Sequence, residues 1–292
     1  MSSFWMLVAS FLFAVMAASV KMAAPEIGSF SMILWRGVFG CVAIFVWAMA
    51  TGRSLKTRCF GSHVKRSGIG TVALGMWLYA VDNLPLSTGM TLNYTSPLFM
   101  AAFVVGAALW YKRPVQWQLV VATVVGFAGV VEVLQPEFHA GDMFPALIGL
   151  ASGLLSAVAY MQIRELTRLN EPDWRVVFYF TLFNIVFGAV THPIFDQPDV
   201  YTTKSVLCII AAGSSATLAQ IALTKSYGSG NLLLSSILSF SAIIFAVIMG
   251  VVIFGDPIEL QSLLGIAIII FAGVCASVIT KRASARRKKD PS

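Results

Sequence analysis

Charge is what this chain has least of. Only 11% of its 292 residues are Asp, Glu, Lys or Arg, against roughly 25% in an ordinary soluble domain, which excludes a water-soluble globular chain. Acidic residues are the scarcer kind: 13 against 20 Lys and Arg, for a net charge of +7. No pair of carboxylates falls inside an apolar stretch, so an intramembrane aspartyl protease lacks its machinery. HExxH, GxSxG and GxxxxGK[ST] are all missing. Their absence removes zinc proteases, serine hydrolases and a chain that hydrolyses ATP by itself, and no enzyme is expected. The four cysteines show no CxxC spacing, so neither a metal site nor a disulfide framework is expected. Cys41, Cys208 and Cys275 lie in apolar stretches as small hydrophobes, and Cys59 lies in a connection. No metal and no cofactor is expected. The three histidines, His63, His139 and His192, fall in or beside connections and are expected to be solvated.

What is there instead is apolar length. Hydrophobic residues make up 58% of the chain, gathered into ten runs at about 3–21, 27–50, 67–82, 87–110, 115–134, 142–162, 174–195, 203–225, 229–254 and 258–280. Runs of about 20 residues are long enough for a helix to cross a ~30 Å hydrocarbon core. They are too long for barrel strands and show no alternation of period two. The expected fold class is an all-α integral membrane protein with ten transmembrane helices. The first run lacks a basic n-region and a clear processing site, so it is expected to stay uncleaved. Pro85, Pro114 and Pro257 open the segments that follow them, where the missing N–H costs nothing.

The positive charges alternate between connections. With the N-terminus inside, the inner connections hold Arg53, Lys56, Arg58, Lys65 and Arg66; Lys112 and Arg113; Arg164, Arg168 and Arg175; Lys225; and six of the basic residues of the tail 281–292. That accounts for 17 of the 20 Lys and Arg; the outer connections hold only Lys21 and Lys204. Short loops rich in Lys and Arg stay cytoplasmic during insertion. The expectation is a multi-pass protein of the cell inner (plasma) membrane with both termini in the cytoplasm. Its charge reports orientation and attraction to anionic lipid, not nucleic-acid binding. The basic tail is expected to be disordered.

The halves resemble each other. Ala9-Ser10 matches Ala151-Ser152; Thr95-Ser96-Pro97 through Arg113-Pro114 matches Leu238-Ser239-Phe240 through Asp256-Pro257, 143 residues on; and Phe127-Ala128-Gly129-Val130 matches Phe271-Ala272-Gly273-Val274. An odd number of helices per copy makes the second copy enter from the opposite side. The expected domains are therefore two inverted five-helix repeats, 3–134 and 142–280, the plan by which many carriers alternate access, followed by the tail 281–292.

Arg36 is the sharpest single residue. It is the one cation placed inside a segment, about nine residues or roughly 14 Å from where segment 2 begins. A charge there costs at least ~2.5–3.5 kcal/mol to insert and must face protein or water. It either binds an anionic group of a substrate, or gates, or acts as a structural clamp on helix-end carbonyls or on Asp82 or Glu26. Segment 4 carries Asn93, Tyr94, Thr95 and Ser96 ahead of Pro97, which frees a carbonyl one turn earlier; such a kink is tolerated only against protein or a wet cavity. Segment 9 matches it with Ser235, Ser236, Ser239 and Ser241, which suit close packing or ligand contact. Tyr79, Tyr160 and Gln220 are further candidates for a cavity wall, as are Ser10, Trp77, Ser156 and Ser215. Trp5, Trp110, Trp117 and Trp174 sit at segment ends and suit an interfacial belt. Asn184 is expected to bond between helices, and Glu132 to sit at a rim. Gly126, Gly129, Gly265, Ala267, Ala272 and Gly273 allow close helix contact, within the chain or in a homodimer.

The stretch Leu84-Pro85-Leu86-Ser87-Thr88-Gly89 through Ser96-Pro97-Leu98-Phe99 resembles the run that enters helix 4 in the EamA-like proteins of the drug/metabolite transporter superfamily. Tyr227-Gly228-Ser229-Gly230-Asn231 through Phe254-Gly255-Asp256-Pro257 resembles the same family's helix 9, with Asp256 where Glu is usual. Arg36 stands where an Arg is common early in helix 2. The resemblance implies a central cavity framed by helices 1–4 and 6–9, with helices 5 and 10 toward an interface. It implies a secondary transporter of small organic metabolites. Export of amino acids or related compounds is the expected activity, with a small-molecule substrate and the lipid bilayer as partners. Import of a scavenged nucleoside-linked compound or vitamin is the alternative, and a channel or helper subunit a third reading.

Overall fold

The computed structural model describes residues 2–139 and 141–289, the side chains of Ser284 and Arg286–Lys289 excepted. Among the described residues every regular element is helical: α1 (Trp5–Ala23), α2 (Ser29–Ala50), α3 (Phe60–Asn83), α4 (Leu86–Asn93), α5 (Ser96–Trp110), α6 (Trp117–Leu134), α7 (Met143–Arg168), α8 (Asp173–Phe195), α9 (Thr203–Ser229), α10 (Leu232–Ser239), α11 (Ser241–Met249) and α12 (Leu260–Lys289). Two crossings are broken. The pair α4–α5 forms one, and α10, α11 and a wide turn at Gly250–Phe254 form the other, so the ten apolar runs become ten crossings. Nine are long and apolar enough to span a bilayer among the described residues. The tenth, α3, has the length at 24 residues, but His63, Lys65 and Arg66 in its first two turns lower its hydropathy. Its observed start at Phe60 lies seven residues before the apolar run at 67, for the same reason.

Helices pair across the halves. α1 lies against α9 and α3 against α7, while α2 pairs with α8 and α6 with α12. Exchanging the halves turns the first pair into the second and leaves the other two unchanged. That is the arrangement of a two-fold axis between inverted copies. The exterior of the bundle is apolar, with Val42, Phe45 and Val46 on α2 and Ile270, Phe271 and Val274 on α12 all exposed. Small and polar side chains fill the interior: Ser10, Thr71, Ser152, Asn184, Ser235 and Ser236 are buried. Lipid offers apolar side chains no gain from burial, so small residues that let backbones approach decide the packing. α6 and α12 show this. A Cβ on Gly129 would lie 2.8 Å from the Gly265 carbonyl, and one on Gly265 would lie 2.6 Å from the Gly129 carbonyl. Asn184 accepts from the Thr71 hydroxyl at 3.1 Å, the interhelical bond expected of it.

The α2–α8 pair is strapped at both ends. At one end α2 has no side-chain cap of its own. Instead Asp196 accepts from the Ser31 and Phe30 amides at 2.6 and 3.4 Å. Asp199 accepts from the Gly28 amide at 3.1 Å, from the Ser31 hydroxyl and from the Tyr201 hydroxyl at 2.9 Å. Two carboxylates at a helix N-terminus meet orphan amides and the positive end of its dipole. Burial pushes the Asp199 carboxyl up, but these donors together with His192 hold it below the usual carboxylate range.

At the other end Glu171, in the α7–α8 connection, accepts from the Thr57 hydroxyl at 2.6 Å and Arg175 at 2.9 Å. Arg175 and Tyr179 also donate to the Ser54 and Leu55 carbonyls at 2.7 and 3.1 Å. Burial again raises the Glu171 carboxyl, and Thr57, Arg175 and His63 outweigh it, leaving it lowered.

Two expectations are corrected. His63 is not solvated: it is fully buried, 3.2 Å from Glu171 and against the Tyr179 ring at 4.5 Å, because α3 begins before it rather than after. Helix α12 continues to Lys289, where disorder was expected. Ala283 and Ala285 among long basic residues extend a helix already nucleated. The expectation for 290–292 lies outside the described residues.

Candidate functional site

One cavity of about 230 Å³ lies along the middle of the bundle. Each wall is a stripe at helical spacing: Met6, Ser10, Phe13 and Ala17 from α1; Arg66, Gly70, Leu74 and Trp77 from α3; Ser156, Ala159 and Tyr160 from α7; and Gln220, Leu223 and Tyr227 from α9. Arg36 enters from α2 and Phe180 from α8. The broken crossings add Asn93, Tyr94 and Ser96 on one side and Ser239 and Ala242 on the other. No lining residue comes from α6 or α12.

The lining repeats itself. Phe13 and Ser156, Met16 and Ala159, Ala17 and Tyr160, Trp77 and Gln220, and Ser96 and Ser239 all line the cavity, and the members of each pair stand 143 residues apart. The cavity therefore sits on the axis that relates the halves. Its charge does not repeat. Both guanidinium groups belong to the first half: residue 179, 143 on from Arg36, is Tyr, and residue 209, 143 on from Arg66, is Ile.

Those guanidinium groups define the electrostatics. Arg66 is 2% exposed. Its Nη2 points at the Gln220 side-chain oxygen at 3.5 Å, and its guanidinium lies 4.0 Å over the Phe180 ring. Nε and Nη1 have no hydrogen-bond partner among the described residues. Arg36 is half-buried, and its Nε is unpartnered too. It reaches neither helix-end carboxylate suggested for it: the described ion pairs include no bond from Arg36 to Asp82 or Glu26, and Glu26 instead accepts from the Thr202 hydroxyl. Trp77 Nε1 is a further unpartnered donor in the lining. Among the described residues no carboxylate lines the cavity.

Seven of the eight candidate residues meet at or beside this cavity. Arg36, Asn93, Tyr94, Tyr160, Gln220 and Ser239 line it. Asn93 also donates to Ser152 at 3.3 Å, and Tyr160 stacks on Tyr227 with centroids 4.6 Å apart. Pro97 is buried in the first turn of α5 behind the lining. The break it causes is what turns Asn93, Tyr94 and Ser96 inward. Tyr79 is the exception. It is 39% exposed, edge-on to Phe144, and lies on the outside. Two residues along a helix is more than half a turn, so a helix that gives Trp77 to the cavity turns Tyr79 away. Among the secondary candidates Ser10, Trp77 and Ser156 line the cavity, and Ser215 does not.

The EamA-like transporter family profile matches residues 1–135 and again residues 143–278. The chain belongs to the EamA-like transporter family. Among curated relatives, a riboflavin transporter of Vibrio cholerae is 28% identical over 76% of this chain and 74% of its own. The pseudopaline exporter CntI of Pseudomonas aeruginosa is 24% identical over 92% and 93%. An S-adenosylmethionine uptake transporter of Rickettsia felis is 23% identical over 91% and 89%. A solved crystal structure superimposes with a TM-score of 0.85 over 96% of this chain and 98% of that one, at 18% identity, which establishes the shared fold. This EamA-like chain is therefore a multi-pass membrane protein and a small-molecule transporter.

The residue missed in reading the sequence of this EamA-like chain was Arg66. It stands beside Lys65 in a run of positive charge and was counted with the connection. Lys65 is exposed and Arg66 buried. The signal was spacing: Arg66, Gly70, Leu74 and Trp77 fall on one helix face. Phe180 was missed as well, hidden among apolar neighbours that gave no contrast, and Tyr227 because it was read only as the start of the stretch Tyr227-Gly228-Ser229-Gly230-Asn231.

Proposed function

We propose that this protein is a secondary carrier that exports amino acids or related small organic compounds across the inner membrane by alternating access. The face bearing the short basic connections, which includes both termini, is cytoplasmic in this reading. The moving units are the two five-helix repeats, residues 3–134 and 142–280. The observation that supports it most is the set of five lining pairs 143 residues apart. Walls contributed by both inverted copies let one pocket face either side when the copies rock. Both broken crossings, α4–α5 and α10–α11, reach the same pocket and supply the bending points. The glycines of α6 and α12 are used in contact with each other within the chain, so they give no argument for a homodimer.

Uptake is the second reading, favoured by relatives named for riboflavin transport and S-adenosylmethionine uptake. The test is purified protein in proteoliposomes loaded with candidate metabolites, together with cells with and without the protein, assayed for metabolites inside and in the medium. Saturable flux with counterflow is expected, and the exported metabolite accumulates inside cells lacking the protein. Flux that stays linear with concentration and shows no counterflow would mean a channel. Depletion inside such cells would mean uptake.

A further inference from the structure

We propose that Arg36 and Arg66 form two anion stations at different depths on one substrate path, so that the cargo is a small organic carboxylate with a net negative charge. The proposal rests on the carrier reading and adds the charge of the substrate and the order in which it meets the protein.

Every buried lining side-chain atom that lacks a partner is an N–H donor: Arg36 Nε, Arg66 Nε and Nη1, and Trp77 Nε1. A buried donor left unmade is destabilising, more so for a charged group. No carboxylate in the lining balances the two cations. A pocket of unpartnered donors and uncompensated positive charge is completed by an acceptor carrying negative charge. A guanidinium meets a carboxylate through two parallel bonds. A zwitterion would bring an ammonium group for which the lining offers only neutral amide, hydroxyl and backbone oxygens, so a net anion fits better than a neutral amino acid. The rest of the wall is apolar or aromatic, with Phe13, Leu74, Trp77, Tyr160, Phe180 and Tyr227 available to cover the body of such a molecule.

The two cations do not share a level. Arg36 is seven residues from the start of α2, roughly 10 Å below the face that holds the α1–α2 connection. Arg66 is six residues from the start of α3 at the basic face, roughly 9 Å in. Its side chain leans further in. Nη1 lies 3.0 Å from where a Cβ on Gly70 would be, and Nη2 points at Gln220. α2 is about 33 Å long, which leaves roughly 14 Å of depth between the two backbone positions, less the inward lean of Arg66. Arg66 therefore receives the anion from the basic, cytoplasmic side and Arg36 holds it on the way to the other. Gly70 keeps the space in which the Arg66 guanidinium lies; its absent side chain also clears the Phe180 ring, 3.2 Å from the same Cβ position.

The experiment uses three probes with one body and three charges: 3-phenylpropionate, phenylalanine and phenethylamine. Binding is read by thermal shift on the purified full chain. Flux is read in vesicles of known orientation, with substrate offered to one face at a time. Wild type is expected to favour 3-phenylpropionate at least ~10-fold over phenethylamine. Arg66→Gln is expected to raise KM about 10-fold for 3-phenylpropionate presented at the cytoplasmic face and less than about 2-fold at the opposite face. Arg36→Gln does the reverse. Gly70→Ala reproduces part of the Arg66→Gln effect with the cation retained. The ratio of anion to cation binding does not depend on how much protein folds, so a poorly expressed variant still gives an answer.

Equal preference for the three probes, or no saturable binding of the anion, overturns the proposal. Equal changes from both faces in both variants reduce the two stations to one site and overturn it likewise. Anion binding without counterflow keeps the stations and counts instead against the carrier.

Discussion

Where the first half places Arg36, the position 143 residues on is Tyr179, whose hydroxyl donates to the Leu55 carbonyl at 3.1 Å and whose ring covers His63. Where the first half breaks its fourth crossing at Tyr94–Thr95, just ahead of Pro97, the second breaks its own at Phe240 with no proline near. There the hydroxyls of Ser239 and Ser241 donate to the Ser236 and Leu238 carbonyls at 2.7 and 2.6 Å. Such bonds to the preceding turn compete with the helix ladder and bend it. The two copies thus hold one shape by different means and differ in charge. In the carrier proposed above, a shared shape lets the copies exchange roles as the pocket turns from one face to the other. Under the two-station proposal, unequal charge gives that path a direction in space.

The largest expected break in that comparison is Arg36→Ala against Tyr179→Phe. Loss of a charge-assisted hydrogen bond costs about 1.5–3 kcal/mol, and 1.4 kcal/mol is tenfold. Arg36→Ala should therefore cut kcat/KM for the transported anion about 10- to 100-fold, with normal amounts of folded protein in the membrane. Tyr179→Phe removes one hydrogen bond outside the cavity. It should lower thermal stability by about 1 kcal/mol and leave kcat/KM within about 2-fold. Initial flux rates and unfolding midpoints on the same preparations check both. Normal flux in the Arg36 variant removes that residue from the path.

How far the sequence discloses such differences depends on contrast. Ten crossings are legible because apolar runs end in charged or Pro-containing connections, and the pseudo-symmetry because Arg113-Pro114 and Asp256-Pro257 punctuate the two copies alike. Arg36 stands out because everything around it is apolar. Arg66 does not, because Lys65 stands next to it: a charge at a helix end looks the same whether it points to water or lies along the helix against Gly70. Tyr79 illustrates the reverse failure. Its residue type suits a cavity wall, yet direction around a helix decides, and that needs the phase fixed by Trp77. The carboxylate straps were illegible for a different reason. Asp196, Asp199 and Glu171 lie in connections, and nothing local says which distant helix end each will meet.

Pro97 against Ser241 gives the next effect in size. Pro97→Ala returns an amide donor to the Asn93 carbonyl and lets α4 and α5 join. The expected result is a several-fold fall in maximal flux and a thermal stability equal to or above wild type. Ser241→Ala removes one bond to the preceding turn, and Ser241 lies outside the lining. Its flux should stay within about 2-fold and its stability within about 0.5 kcal/mol. A Pro97 variant with wild-type turnover would show that the break is packing and not a hinge.

The smallest effect separates the two ends of the α2–α8 pair, through Glu171→Gln and Asp199→Asn. Both carboxyls are held below the usual carboxylate range in the folded protein. A depressed folded-state pKa stabilises the fold at pH values above the unfolded pKa, about 4, and that contribution disappears as pH falls through the folded value. Each amide variant keeps the shape of its strap and loses the charge, so each should cost about 1 kcal/mol or less near pH 7. The difference from wild type should shrink as the pH is lowered from 6 toward 3, and flux at pH 7 should hardly change because neither residue lines the cavity. The Asp199 variant is expected to lose more, since Asp199 accepts from the Gly28 amide at the start of α2 and so also meets the positive end of that helix. Unfolding midpoints across that pH range decide it. A gap between variant and wild type that widens in acid has the wrong sign, and would mean that these carboxyls are protonated in the folded protein.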